Sequence, residues 1–139
     1  MRTLSEWLEK YAESHQNRTN KMIHNVCVPA IMISLVGLLH HFTRIDYLSL
    51  GTLVTVITIA FYARLSLKLL PVMIPVFLVM WGILFWVQDY NGIHWFWLAI
   101  FILAWIGQFI GHKIEGKKPS FFDDLAFLLI GPVWVFYKP

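Results

Sequence analysis

The chain has 139 residues, 58% of them hydrophobic and only 14% charged, with a formal net charge of +3. A soluble domain averages about 45–50% apolar and about 25% charged residues, so this chain has too little polar surface to wrap its apolar segments in water. The composition excludes an ordinary soluble enzyme and gives no reason to expect a nucleic-acid partner. The length suits a single domain, 1–139.

The first stretch, "MRTLSEWLEKYAESH", is polar and acidic, where a cleavable signal peptide would need an apolar core of roughly 7–15 residues. Leu4, Trp7, Leu8 and Tyr11 recur at helical spacing, so an amphipathic helix is expected, capped by Thr3 or Ser5. It would lie on lipid headgroups or cover the ends of the spans. Four apolar runs follow, at 22–39, 47–63, 69–87 and 93–110. Each approaches the roughly 17–25 residues that a helix needs to cross a hydrocarbon core about 30 Å thick. The expected fold is all-α, a multi-pass transmembrane bundle of about four spanning helices.

Basic residues orient these spans. Arg2, Lys10, Arg18 and Lys21 precede the first, Arg64 and Lys68 join the second to the third, and Lys113, Lys117, Lys118 and Lys138 follow the fourth. Only Arg44 of the eleven lies in another connection, so both termini are expected to face the cytoplasm. The last apolar stretch, 125–137, is short and interrupted by "GPVW", which suits an interfacial or re-entrant helix. Gly107 and Gly111 form a small-xxx-small pair for close packing, within the chain or between copies in a homo-oligomer. Pro71 and Pro75 fall in the first turns of the third span, and Trp95 and Trp97 flank the outer boundary. The single Cys27 permits no internal disulfide.

This topology sorts the six histidines into two groups. His15 and His24 stand at the cytoplasmic entrance of the first span and His112 at the exit of the fourth, whereas His40, His41 and His94 stand at the opposite face. On one unbroken helix, His15 and His24 would point to opposite sides. They converge only if the chain breaks between them, and "HQNRTN" is rich in cap and turn formers, with Asn20 either capping the span or facing the same way as His24.

The cytoplasmic group has carboxylates nearby. His112 and Glu115 share a helix face, and Asp123 and Asp124 follow a Pro-containing turn. Three imidazoles with one or two carboxylates suit iron, manganese or zinc better than magnesium or calcium. For His40, His41 and His94 the simpler expectation is local hydrogen bonding. A proton or metal path through the bundle would use both groups, but the middles of the spans offer almost no polar steps. Lys113, Lys117 and Lys118 would meet anionic lipid heads or capture an acidic amphiphile.

The segments "HQNRTNKMIHNVCVP" and "QFIGHKIEGKKPSFFDDL" together resemble the two signature segments of the 2-hydroxy fatty acid dioxygenase family, small multi-pass membrane proteins of fatty acid alpha-oxidation. His15, Asn20, His24, Val28 and Pro29 match the first segment. Gln108, Phe109, Gly111, His112, Glu115, Lys117, Lys118, Pro119 and Asp123 match the second. The chain departs from eukaryotic members in carrying Gln16 where they have a second histidine. Its turn after His112 is also one residue shorter, which separates Glu115 from their acidic position. The compact form is similar to bacterial members, for which the inner membrane is the expected location.

The resemblance implies an iron(II)-dependent reaction of a long-chain 2-hydroxy fatty acid with dioxygen, giving an acid one carbon shorter. His15, His24 and His112 would then be the catalytic and metal-holding residues, with Glu115 or Asp123 as a further ligand. Asn20, Glu115 and Asp123 would orient the imidazoles, and Lys117 or Lys118 would guide the substrate carboxylate. Two other readings stay open from the residues: a non-catalytic membrane scaffold or binding protein, and a zinc-dependent lipid hydrolase.

Overall fold

A computed structural model of the protein describes residues 2–137. The described residues form α1 (Leu4–Ala12), α2 (Arg18–Thr43), α3 (Leu50–Leu65), α4 (Leu70–Val87), α5 (Ile93–Glu115) and α6 (Phe127–Phe136), with short 3-10 turns at Leu67–Leu69 and Ser120–Phe122. The all-helical architecture is the expected one. Three stretches are long and apolar enough to cross a membrane: Arg18–Thr43, Leu67–Val87 and Ile93–Glu115. α3 is a shorter apolar helix of 16 residues, about 24 Å at 1.5 Å per residue.

α1 begins where Thr3 accepts from the Glu6 N–H while the Glu6 carboxylate accepts from the Thr3 N–H, a reciprocal cap. Its apolar stripe buries Trp7 and Tyr11 against α6, with Trp7 edge-on to Phe127 at 4.9 Å. Of the two settings open to this amphipathic helix, the structure places it over one end of the bundle.

The first long helix starts at Arg18, ahead of the apolar run at 22, because Asn17 rather than Asn20 supplies the cap. Asn17 Oδ1 accepts from the N–H groups of Thr19 and Asn20, at 2.9 and 3.2 Å. Asn20 takes the other course open to it and is buried on the His24 face, one turn away. α2 then packs along α5 at close range. A Cβ added at Gly107 would come within 2.7 Å of Cys27 Sγ, and one at Gly111 within 2.5 Å of Asn20 Oδ1. The small residues therefore serve a contact within the chain.

α3 and α4 complete the core around Tyr62, Leu69, Met73 and Phe77, where the Tyr62 hydroxyl donates to the Leu129 carbonyl of α6 at 2.5 Å. Pro71 sits in the first turn of α4, where a missing N–H costs no helical hydrogen bond. α6 runs unbroken through Gly131 and Pro132, and at ten residues it is packed among the other helices. Lys138 lies outside the described residues. Val26, Ile57, Leu78 and Leu103 are exposed and give the bundle an apolar exterior suited to lipid.

At the end away from α1, His40 is buried between Ser49 Oγ (2.7 Å) and Gln88 Oε1 (2.8 Å), and His41 stacks on His94 with ring centroids 4.6 Å apart. The hydrogen-bonding expectation suits His40 directly.

Candidate metal centre

His15, His24 and His112 reach one point from three elements. α1 ends at Ala12 and the chain turns, with the His15 N–H donating to the Ala12 carbonyl at 3.0 Å, before Asn17 starts α2 in a new direction. His24 lies in the second turn of α2, and His112 in the last turn of α5, which Gly116 closes at φ +77°. All three imidazoles are buried, and one nitrogen from each lies within 4.8 Å of the others. Ring centroids are 4.3 Å apart for His15 and His24, 4.8 Å for His15 and His112, and 6.3 Å for His24 and His112.

Hydrogen bonds fix which nitrogens carry a proton. The Tyr11 carbonyl can only accept, so His15 carries its proton on Nδ1 and donates there at 2.7 Å, leaving the Nε2 lone pair free. Gln108 Oε1 accepts from His24 Nδ1 at 3.1 Å, so Nε2 of His24 is again the unprotonated nitrogen, and it receives the Tyr11 hydroxyl. His15 Nε2 and both ring nitrogens of His112 are buried without a hydrogen-bond partner. Such orphaned nitrogens are costly in a dry site unless something coordinates them. Burial pulls the His15 pKa down to about 4, partly opposed by its bond to the Tyr11 carbonyl, so the ring is neutral near pH 7 and able to ligate.

These donors fit a metal ion. Two nitrogens each about 2.1 Å from one tetrahedral ion stand about 3.4 Å apart, so a pair at the 4.8 Å limit would close by about 1.4 Å on binding. An all-imidazole set suits a transition metal and not calcium or magnesium.

The carboxylates take other positions. Glu115 Oε1 accepts from the Asn17 backbone N–H at 2.7 Å and from the Asn20 amide at 3.2 Å, while the same amide donates to the Ser14 carbonyl. Glu115 thus clamps the α1–α2 turn, which carries His15, to the end of α5, which carries His112. Asp123 pairs with Lys118 at 3.1 Å on the surface, and Lys117 donates to the Glu13 carbonyl at 2.9 Å. Both lysines and Asp123 line a surface recess beside α1. The side chains of Tyr11, Ser14 and Gln108 hydrogen-bond to the triad. Ser14 also pairs with Ser120 at 2.6 Å, and Trp134 lies against His15 and His24 at 5.3 and 5.7 Å. A cavity of about 310 Å³ opens beside His15 and His112 and continues into the bundle.

The family model for proteins described as 2-hydroxy-palmitic acid dioxygenase Mpo1-like matches residues 1–138. The chain belongs to the Mpo1-like family. One curated Mpo1-like relative is the 2-hydroxy-palmitic acid dioxygenase MPO1 of the yeast Saccharomyces cerevisiae, 27% identical over 130 residues that cover 92% of this chain and 74% of the relative. No solved structure matches the chain. Of the residues in this Mpo1-like site, Tyr11 escaped sequence reasoning because it reads as part of the apolar stripe of α1. Its spacing of four from His15 was the available signal. Ser14, Ser120 and Trp134 carried none.

Proposed function

We propose that this protein is an iron(II)-dependent dioxygenase of fatty acid alpha-oxidation, acting on a 2-hydroxy fatty acid at the cytoplasmic face of a bacterial inner membrane. The observation that carries this reading is the buried triad, in which hydrogen bonds at Nδ1 leave Nε2 of His15 and His24 unprotonated and one nitrogen of each imidazole lies within 4.8 Å of the others. Membership in the Mpo1-like family supplies the substrate class. The overall change balances without an external reductant: a 2-hydroxy acid and dioxygen give the acid one carbon shorter, carbon dioxide and water, with the bond between C1 and C2 broken.

His15, His24 and His112 would hold the metal. Iron(II) in such a site supplies the redox chemistry that lets dioxygen attack an organic substrate. Gln108 and the Tyr11 carbonyl keep the two imidazoles in the ligating tautomer, which is the role that outer hydrogen bonds play around metal-bound histidines. The Tyr11 hydroxyl, already donating to His24, stands where it can donate to a substrate oxygen once a metal takes that nitrogen. Trp134 and Phe127 close the site against bulk water, and Lys117 and Lys118 line a basic approach for the carboxylate.

The test is oxygen consumption with product mass spectrometry, on purified protein loaded with iron(II) and given a long-chain 2-hydroxy acid beside its unhydroxylated counterpart. The expected product is the acid one carbon shorter, formed only from the hydroxylated substrate and only with dioxygen. Folded, iron-loaded protein that forms none of it would overturn the reading.

A further inference from the structure

The cavity that begins at the triad does not end there. Along α2 it follows Val28, Met32 and Val36, which are four residues apart and share one helix face. Along α5 it follows His112, Gln108, Trp105 and Phe101, again one face. At 1.5 Å per residue, Val36 lies about 18 Å from His24 and Phe101 about 16 Å from His112, roughly half the thickness of a hydrocarbon core. Thr55 and Thr58 of α3 border this channel without making it polar. Each hydroxyl donates to its own helix, at 2.9 and 2.8 Å, and Thr55 also accepts from the Trp81 indole at 3.0 Å. Among the lining residues described, buried polar atoms without a partner occur only on His15 and His112, at the head. The channel is polar at one end and apolar for the rest.

It also has a side opening. Leu35, Val54 and Leu128 line the cavity and yet are 42%, 38% and 48% exposed, so the opening faces the apolar exterior of the bundle. An occupant could pass there from the lipid phase without its chain meeting water. Its volume of about 310 Å³ is that of a small-molecule pocket. A compact headgroup with one unbranched aliphatic chain fits this shape, whereas a two-chain lipid does not.

We propose that this channel binds the acyl chain of the substrate and measures its length, the chain entering between Leu35, Val54 and Leu128 and its methyl end stopping at Val36, which is buried in the core with Met80, Leu84 and Trp97. The inference rests on the dioxygenase reading for the identity of the headgroup alone. Val36 is then a specificity residue, since a larger side chain at the far end removes space that only the longer acids use. Each methylene refused by an apolar pocket costs roughly tenfold or more in affinity.

The experiment uses the full chain in lipid nanodiscs with a saturated series of 2-hydroxy fatty acids, one of them bearing a diazirine at its methyl end. Photolabelling followed by peptide mapping is expected to place the label on α2 near Val36, and unlabelled acid should compete. In Val36→Phe, and independently in the milder Val36→Leu, the longest acid bound should shorten, while affinity for the short acids stays within about twofold. Label on outward residues such as Val26 or Leu103, or an unchanged length profile in a folded variant, would overturn the proposal. Neither readout needs turnover. Labelling and length selection without oxygen consumption would sink the dioxygenase reading and leave the channel standing, and turnover with an unaltered profile would do the reverse.

Discussion

The Tyr11 hydroxyl donates to the ring nitrogen of His24 that Gln108 leaves without a proton. That nitrogen is also the one a metal would take, so the phenol and the ion compete for a single lone pair. Burial raises the Tyr11 pKa well above its ordinary value, which keeps the hydroxyl a donor. Tyr11→Phe removes the competitor and a buried hydrogen bond worth about 0.5–1.5 kcal/mol. The metal-free variant should therefore melt earlier than the wild type, while its iron affinity rises by up to about tenfold. Calorimetry with and without iron(II) reads both, and weaker iron binding in the folded variant would refute the competition.

The triad itself predicts linkage between metal and stability. A ligand that binds only the native state stabilises it by about 2.7 kcal/mol at a hundredfold excess over its Kd. Iron(II) should raise the melting temperature of the wild type and leave His24→Ala and His112→Ala unmoved. His40→Ala is the control, because His40 is held by Ser49 and Gln88 at the other end of the bundle. A shift retained in the two triad variants would dismiss these residues as ligands.

Glu115 separates a clamp from a ligand. Its single Oε1 accepts from both Asn17 and Asn20, and the amide oxygen of a glutamine can do the same. Glu115→Gln should keep iron affinity within about threefold, whereas Glu115→Ala should lose about 0.5–1.5 kcal/mol of stability with the hydrogen bonds it makes across the turn. Loss of iron from Glu115→Gln, measured by metal analysis after gel filtration, would make the carboxylate a ligand after all.

The convergence of His15, His24 and His112 was legible because apolar run lengths and basic-residue placement bring distant residues to one membrane level. The break between His15 and His24 was legible too, since "HQNRTN" favours a turn, although the capping residue is Asn17 and not Asn20. Hydropathy marks where side chains become apolar and not where hydrogen bonding begins, so the polar first turn of α2 lay outside the run at 22–39. The supports of the triad were hidden for a different reason. Tyr11, Gln108 and Trp134 meet His24 only after α1 folds over α6 and α5 lies on α2, and the spacing of four between Tyr11 and His15 does not encode that packing. Glu115 was visible as a neighbour of His112, yet its partners are 98 and 95 residues away.

His15 also predicts a pH dependence. An imidazole ordinarily titrates near 6.5, and burial holds this one at about 4. As pH falls below about 6.5 the unfolded chain takes up a proton here and the native chain does not, so stability is lost progressively until about pH 4. Thermal melts of the metal-free protein should drop across that window, and less steeply in His15→Gln. Equal slopes for the two proteins would mean that His15 is not the group responsible.

The α2–α5 contact yields a prediction that depends on a pair of residues. A Cβ at Gly107 would press on Cys27 Sγ at 2.7 Å, and the next neighbour, Ile23 Cγ2, is at an ordinary 4.0 Å. Gly107→Ala should therefore cost about 1–3 kcal/mol through overpacking, and removing the sulfur in Gly107→Ala with Cys27→Ala should restore most of it. Gly111 differs, because its Cβ would meet Asn20 Oδ1 at 2.5 Å and Ile23 Cγ2 at 3.3 Å, and Asn20 is held by the Ser14 carbonyl and Glu115. Gly111→Ala must displace the clamp that joins His15 to His112, so it should weaken iron binding as well as stability. Melting temperatures and iron titrations of the three variants distinguish the cases: recovery confined to the Gly107 pair, with iron affinity lost only at Gly111, is the pattern this geometry requires.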